Sequence, residues 1–133
     1  MKAFHIKIVT PDGLAYDGEV ESLLVRTDDG DVEILAGHAD LLASVSTGRA
    51  RLLINGKARY GSVNGGFLSV SGGKVSLCAI TFEFADQIDL KRAEEAKEKA
   101  EAAVKVARDE RELRVAKAKL MRAASRIKVA SMN

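Results

Sequence analysis

Neither glycine nor proline occurs after Asp89, in a chain that holds 11 glycines and one proline before it. A chain cannot reverse direction tightly and often without such residues, because positive φ and a preset turn φ come most cheaply from Gly and Pro. The segment after Asp89 is therefore excluded from being a meander of short strands. Ala, Glu, Lys and Arg dominate it, a helix-forming composition. The segment before it is punctuated at close intervals, as strands joined by tight turns require.

Within residues 1–85, "FHIKIV" alternates apolar and polar side chains, and "VESLLVR" does so less cleanly. "ARLLI-NG-KARYGSV" sets Asn55-Gly56 between two short runs, a type I′ hairpin signal. "GFLSV-SGG-KVSLCAI" repeats the arrangement around Gly72-Gly73, and "TPDG" and "DDGD" mark further turns. Short strands with turns between them predict an all-β sandwich or barrel.

Past Ile88 the period becomes helical. Asp89 is placed to cap a helix, and Ala93, Ala96, Ala100, Ala103 and Ala107 recur at spacings of three and four. A second stripe runs through Leu113, Ala116, Leu120, Ala123, Ile127 and Ala130. Between them "RDERE" (108–112) is charged throughout, which predicts two antiparallel helices joined there and packed through alanine. An alanine seam buries little, at about 0.8 kcal/mol per methylene-sized group. An extended form of the hairpin is expected within a few kcal/mol, a gap that a ligand or partner can bridge.

The length of 133 residues predicts one domain with an appendage, and aromatics at 5% with no Trp leave the core to Val, Ile, Leu and Ala. No apolar run approaches the about 20 residues needed to span a bilayer. The opening "KAFHIKIVTPDG" has no long apolar core, so no signal peptide is expected. The single cysteine, Cys78, excludes an internal disulfide framework. A soluble, cytosolic protein is the expectation. The net charge of +2 hides an asymmetry: residues 1–88 hold 8 Lys and Arg against 11 Asp and Glu (net −3), and residues 89–133 hold 13 against 8 (net +5). From Leu113 onward there are six cations, Arg114, Lys117, Lys119, Arg122, Arg126 and Lys128, and no acid.

His5 and His38 are the only histidines, neither has Cys or His at metal-ligand spacing, and no metal site or nucleophile–base arrangement can be assembled. The glycine clusters lack the order of a P-loop. The chain reads as a non-enzyme. Arg92 is the unusual residue, a cation in the first helical turn, where the helix dipole favours carboxylates. A solvated face with pairs such as Lys91–Glu95 would tolerate it at about 0.2–0.5 kcal/mol per pair. The alternative is an anion. Arg122 and Arg126 lie four apart, a fold-back brings them beside α-helical Arg92, and paired guanidiniums suit bidentate phosphate contacts.

"IVTPDGLAYDGEVESLLV", "GDVEILAGHADLL" (30–42), "NGGFLSV" (64–70) and "IDLKRA" (88–93), in this order, resemble the epsilon subunits of bacterial F-type ATP synthases over essentially the whole chain. The resemblance implies a ten-stranded β-sandwich (1–86) that binds the gamma subunit and the c-ring, followed by an antiparallel two-helix hairpin (87–133) that regulates. The assembly is part of the rotor, coupling ion translocation to ATP synthesis. When extended, the helices reach the beta and alpha subunits and inhibit ATP hydrolysis through a basic face of Arg114, Lys117, Lys119, Arg122 and Arg126. In relatives that bind ATP as a regulatory ligand, with no obligatory cofactor, the nucleotide holds the hairpin down. Carried over, Glu83, Asp89, Arg92, Ala93, Lys99, Arg122 and Arg126 are the implied ATP contacts, with Lys99 standing where an ATP-binding relative has arginine. Asp31 and His38 are the implied ring-facing positions, in a loop where Ala36 replaces a proline and Asp40 stands where a proline or small residue is common. The implied location is peripheral, at the cytoplasmic face of the bacterial cell membrane, with membrane contact only through the complex. Two rival readings are a nucleic-acid-binding module, against which the basic helix has no aromatic residues for stacking, and a free-standing ATP sensor.

Overall fold

The computed structural model describes residues 2–132, so residues 1 and 133, the outer ends of the two expected domains, lie outside it. Among the described residues seven strands form one sheet: β1 (Phe4–Thr10), β2 (Gly13–Val20), β3 (Ser22–Thr27), β4 (Gly30–Ile34), β5 (Leu41–Ile54), β6 (Lys57–Ser71) and β7 (Lys74–Phe84). Their order is β2-β1-β7-β6-β5-β3-β4. A short 3-10 turn (Ala85–Gln87) leads to α1 (Leu90–Val106) and α2 (Glu110–Ala130).

The strand count corrects the expectation of ten, and the reason lies in the three long strands. Along β5 the inward positions are Leu41, Ala43 and Val45, then Ala50, Leu52 and Ile54, so odd numbers give way to even ones. β6 switches from Gly61 and Val63 to Leu68 and Val70, and β7 from Val75, Leu77 and Ala79 to Phe82 and Phe84. Because side chains alternate strictly along a strand, each parity change marks a bend that turns the opposite face toward the core. Each long strand thus serves both layers of a sheet folded over on itself. One apolar cluster accordingly draws on all seven strands, from Ile6 and Ile8 at one side to Leu23 and Ile34 at the other.

The bend in β6 falls at Gly65 (φ 62°) and Gly66 (φ 117°). A Cβ on Gly66 would lie 1.9 Å from the Cys78 carbonyl oxygen, so β7 crosses there only because the position is glycine. The two expected hairpin turns form: Asn55 (φ 52°) and Gly56 (φ 77°) join β5 to β6, and Gly72 (φ 55°) and Gly73 (φ 81°) join β6 to β7. β1 and β7 pair in parallel, Ile6–Val9 against Val75–Cys78, a contact between distant segments.

The helices reverse at Ala107–Asp109, at the start of the charged stretch where the joint was expected, and without a positive φ. α2 lies on β5, β6 and the 3-10 turn, and α1 packs on α2. The helical residues most buried are Ala93, Ala100, Ala116, Ala123 and Val129. Arg59 ties the junction, its guanidinium 3.6 Å from the Phe84 ring centroid and 3.7 Å from Asp86. No helix among the described residues is long and apolar enough to cross a membrane.

Candidate functional site

Where α1, α2 and the outer face of β6 and β7 meet, they enclose a cleft of about 710 Å³. Its floor follows from strand alternation. Ser62 and Asn64 point outward in alternation with the core-facing Gly61 and Val63, and Thr81 and Glu83 do so in alternation with Phe82 and Phe84. In register, Ser62 pairs with Glu83 and Asn64 with Thr81, making a polar patch two residues wide. Thr47 on β5 completes it, its hydroxyl donating to Asn64 Oδ1 at 2.9 Å.

The walls follow from the helical period. Arg92, Ala96, Lys99 and Ala103 share one face of α1, and Lys119, Arg122, Ala123 and Arg126 one face of α2. Alanines at the contact positions let the helices approach closely, and the long cations fan into the gap. The lining holds five cations, Arg92, Lys99, Lys119, Arg122 and Arg126, against one carboxylate, Glu83. Arg126 Nε lies 2.8 Å from Glu83 Oε1. Yet this buried N–H has no hydrogen-bond partner, because it is not directed at the carboxylate. The contact is an ion pair that leaves a donor unsatisfied, an arrangement that an added acceptor would relieve.

Asp89 and Arg92 answer to different tasks. The Asp89 carboxylate caps α1, accepting from the Arg92 backbone N–H at 3.1 Å. The first turn of α1 holds no acid, whereas that of α2 holds Glu110 and Glu112. No carboxylate in that turn neutralises Arg92, whose side chain lines the cleft.

Of the seven positions implied as ATP contacts, the structure brings Glu83, Arg92, Lys99, Arg122 and Arg126 to this cleft. It leaves Asp89 as the cap and Ala93 beneath the helix at 0% exposure. The basic set of α2 divides: Lys119, Arg122 and Arg126 line the cleft, and Arg114 and Lys117 are exposed elsewhere. Asp31 and His38 do not come together. Asp31 stands at the start of β4, 3.3 Å from Arg26 Nε, and His38 lies beyond the other end of that strand. His38 is satisfied in its own turn, with Nδ1 2.7 Å from the Ala39 carbonyl oxygen. Asp40 anchors the same loop by accepting from Gly72 N–H at 3.0 Å, a constraint that does not depend on proline at position 36. Sequence reasoning missed Thr47, Ser62, Asn64 and Thr81; outward polar residues are the ordinary pattern of a strand, and nothing local separates these four from the rest.

Comparison with known proteins agrees along the whole chain. Residues 3–85 match the family of the ATP synthase delta/epsilon chain β-sandwich domain, and residues 86–131 that of its long α-helix domain. An ATP synthase epsilon chain of Bacillus velezensis is 39% identical over 130 residues, 98% of either chain. One of Priestia megaterium is 43% identical over 101 residues, 76% of this chain and 75% of that one. Among solved structures, a chain of the Euglena gracilis mitochondrial ATP synthase superposes with a TM-score of 0.81 at 21% identity, over 98% of this chain and 82% of that one. A chain from the central stalk and c-ring of the Tetrahymena thermophila enzyme gives a TM-score of 0.63 at 12% identity, over 97% of both. Those two likenesses speak to the fold; the family models and bacterial relatives carry the assignment. The chain belongs to the ATP synthase epsilon-chain family, non-catalytic subunits of that complex.

Proposed function

We propose that this epsilon chain is a central-stalk rotor subunit whose helices form an ATP-gated brake on hydrolysis. The observation that carries the reading is the cleft itself: five cations from two helices converge beside one carboxylate, around a buried arginine N–H that is ion-paired with it but makes no aligned hydrogen bond. Such a concentration of positive charge is repulsive unless an anion joins it. A polyphosphate would link α1, α2 and the sheet at once. Arg92, Arg122 and Arg126 would hold its phosphates by planar forks, Lys99 and Lys119 would add point charges, and the polar strand residues would face the remainder of the nucleotide. Because the walls come from different elements, the site exists only while the hairpin is folded down. Ligand binding and the folded state are thereby linked, and ATP can shift the equilibrium only by its preference for that state.

With the hairpin down, the sheet domain is read as the part that docks on the gamma subunit and the c-ring. With the hairpin extended, the cations of α2 are free to meet acidic segments of the beta and alpha subunits and slow hydrolysis. The complex would hold the chain peripherally at the cytoplasmic face of the bacterial membrane. A nucleic-acid-binding role is disfavoured because Lys119, Arg122 and Arg126 are turned toward the cleft.

The test is calorimetric titration of the full chain with ATP, repeated with Arg92→Ala. Saturable binding that the variant loses is expected; no heat at millimolar ATP would remove the gating half of the reading. Hydrolysis by the assembled complex tests the other half. Deleting residues 89–133 should raise it without loss of the gamma partnership, and unchanged hydrolysis would mean that the helices are no brake.

A further inference from the structure

α2 has a second flank. Opposite the first cleft, its C-terminal half and strands β3, β4 and β5 enclose a smaller one of about 280 Å³. Arg26, Arg49 and Lys128 line it with Asp31 and Ser125, three cations against one carboxylate. Lys128, in the last turn of α2, also suits the negative end of that helix dipole. Arg49 has no such reason to be there, since it comes from a strand, and Arg26 faces Asp31 across β3 and β4. Arg26 is engaged by Asp31 through Nε at 3.3 Å, which leaves its terminal N–H groups available. Arg49 is half-buried and makes no ion pair or side-chain hydrogen bond among the described residues. Next to it, Gly48 carries no side chain, which keeps the floor open. A half-buried guanidinium beside two other cations is unfavourable on its own, and an oxyanion would offset that cost.

The geometry points to a second anion site that takes a single phosphate-sized oxyanion and bridges α2 to the β3–β5 side of the sheet. Size separates it from the first cleft, since about 280 Å³ falls below the usual range for nucleotide-sized ligands. Two guanidiniums favour a tetrahedral oxyanion with several acceptor oxygens over a halide, because each fork engages two oxygens at once. The Ser125 hydroxyl adds a donor from α2. The ligand is inorganic phosphate or the phosphate of a small ester. Its binding would stabilise the folded-down hairpin from the side that the first cleft does not touch. The two sites are independent in their residues, and this one stands whether or not ATP binds the other.

The experiment follows backbone amide resonances of the full chain during titration with sodium phosphate, with sodium chloride at matched ionic strength as the control. Saturable shifts are expected at Gly48, Arg49 and Ser125. Arg49→Gln should weaken them by about tenfold or more, as loss of a charge-assisted contact does. Arg92→Ala should leave them unchanged and alter only the response to ATP. Lys128→Gln provides a second variant should Arg49→Gln disturb the fold, and the same weakening is expected. A parallel titration with glycerol phosphate separates the two sources: equal midpoints mean a general phosphate site, and a tighter ester means that the group beyond the phosphate is also read. Shifts that chloride reproduces, or that appear only at Asn64 and Thr81 in the first cleft, would overturn the proposal.

Discussion

Ile6, Ile8, Leu23, Leu52, Leu68 and Leu77 of the sheet are all at 0% exposure, whereas the helical half buries mainly Ala93, Ala100, Ala116 and Ala123, with Val129 the one larger side chain. Burial of a large aliphatic side chain contributes about 1.5–3 kcal/mol, and an alanine methyl only about 0.8. The same chain therefore contains a body whose integrity rests on many large side chains and an appendage held by small groups and ionic contacts. Among the described residues one ion pair, Glu83–Arg126, spans the two. Detaching the helices costs little of what holds the sheet together. The proposed brake, in which the helices would move while the sheet keeps its seat, needs that division.

The largest effect that can break this comparison is Leu77→Ala. Leu77 is flanked by Ile8 on β1 and Leu68 on β6, so no neighbour can collapse freely into the space left. A loss of about 2–5 kcal/mol is expected in urea denaturation followed by circular dichroism. Ala100→Gly, in the helical seam, should cost only about 1 kcal/mol and leave protection of sheet amides intact. If the helical variant unfolded the sheet as readily as the core variant, the two halves would be a single cooperative unit and no separable brake would exist.

The two halves were also unequally legible. Asn55-Gly56, Gly72-Gly73 and the Asp89 cap act through their own backbone, so "NG", "GG" and a capping aspartate announced the turns and the helix start. The alanine stripes named the seam, although Ala103 proved exposed and Val129 was overlooked. The parity switches in β5, β6 and β7 were not readable, because a bend shared by neighbouring strands is a tertiary event and each half-strand looks complete by itself. The parallel pairing of β1 with β7 left no local mark either. At the site, the cations were visible as an acid-free helix and an oddly placed Arg92. The polar floor and the second cleft were not, since Thr47, Ser62, Arg26 and Arg49 gain meaning only from what lies over them.

A finer contrast separates the starts of the two helices. Asp109 Oδ1 accepts from Glu112 N–H at 2.8 Å, and Glu112 Oε2 in turn accepts from Arg108 N–H at 2.9 Å, with Glu110 adding charge that suits the dipole. α1 has Asp89 alone. Asp89→Ala should therefore cost its helix about 1 kcal/mol, and Asp109→Ala about 0.5 kcal/mol because Glu110 and Glu112 remain. Amide hydrogen exchange over residues 90–106 and 110–130 reads each helix separately. Equal losses would mean that acids in the first turn add nothing to the cap.

The smallest expected effect sits inside the cleft and concerns Lys99. An ammonium meets a phosphate as a point charge through rotating donors, while a guanidinium presents a planar fork already matched to two oxygens. Lys99 and Arg92 share the same face of α1, so a longer planar group at position 99 would reach the anion from the side opposite α2 without displacing the strand floor. Lys99→Arg should tighten ATP binding by about 0.5 kcal/mol, roughly two- to threefold, the low end for one added hydrogen bond. In the assembled complex, release of hydrolysis should then begin at proportionally lower ATP. Lys117→Arg is the control: the same exchange on the same hairpin, outside the cleft, should change neither. If both variants tightened binding alike, the gain would not depend on a place in the cleft, and the cleft would lose its claim to position the ligand.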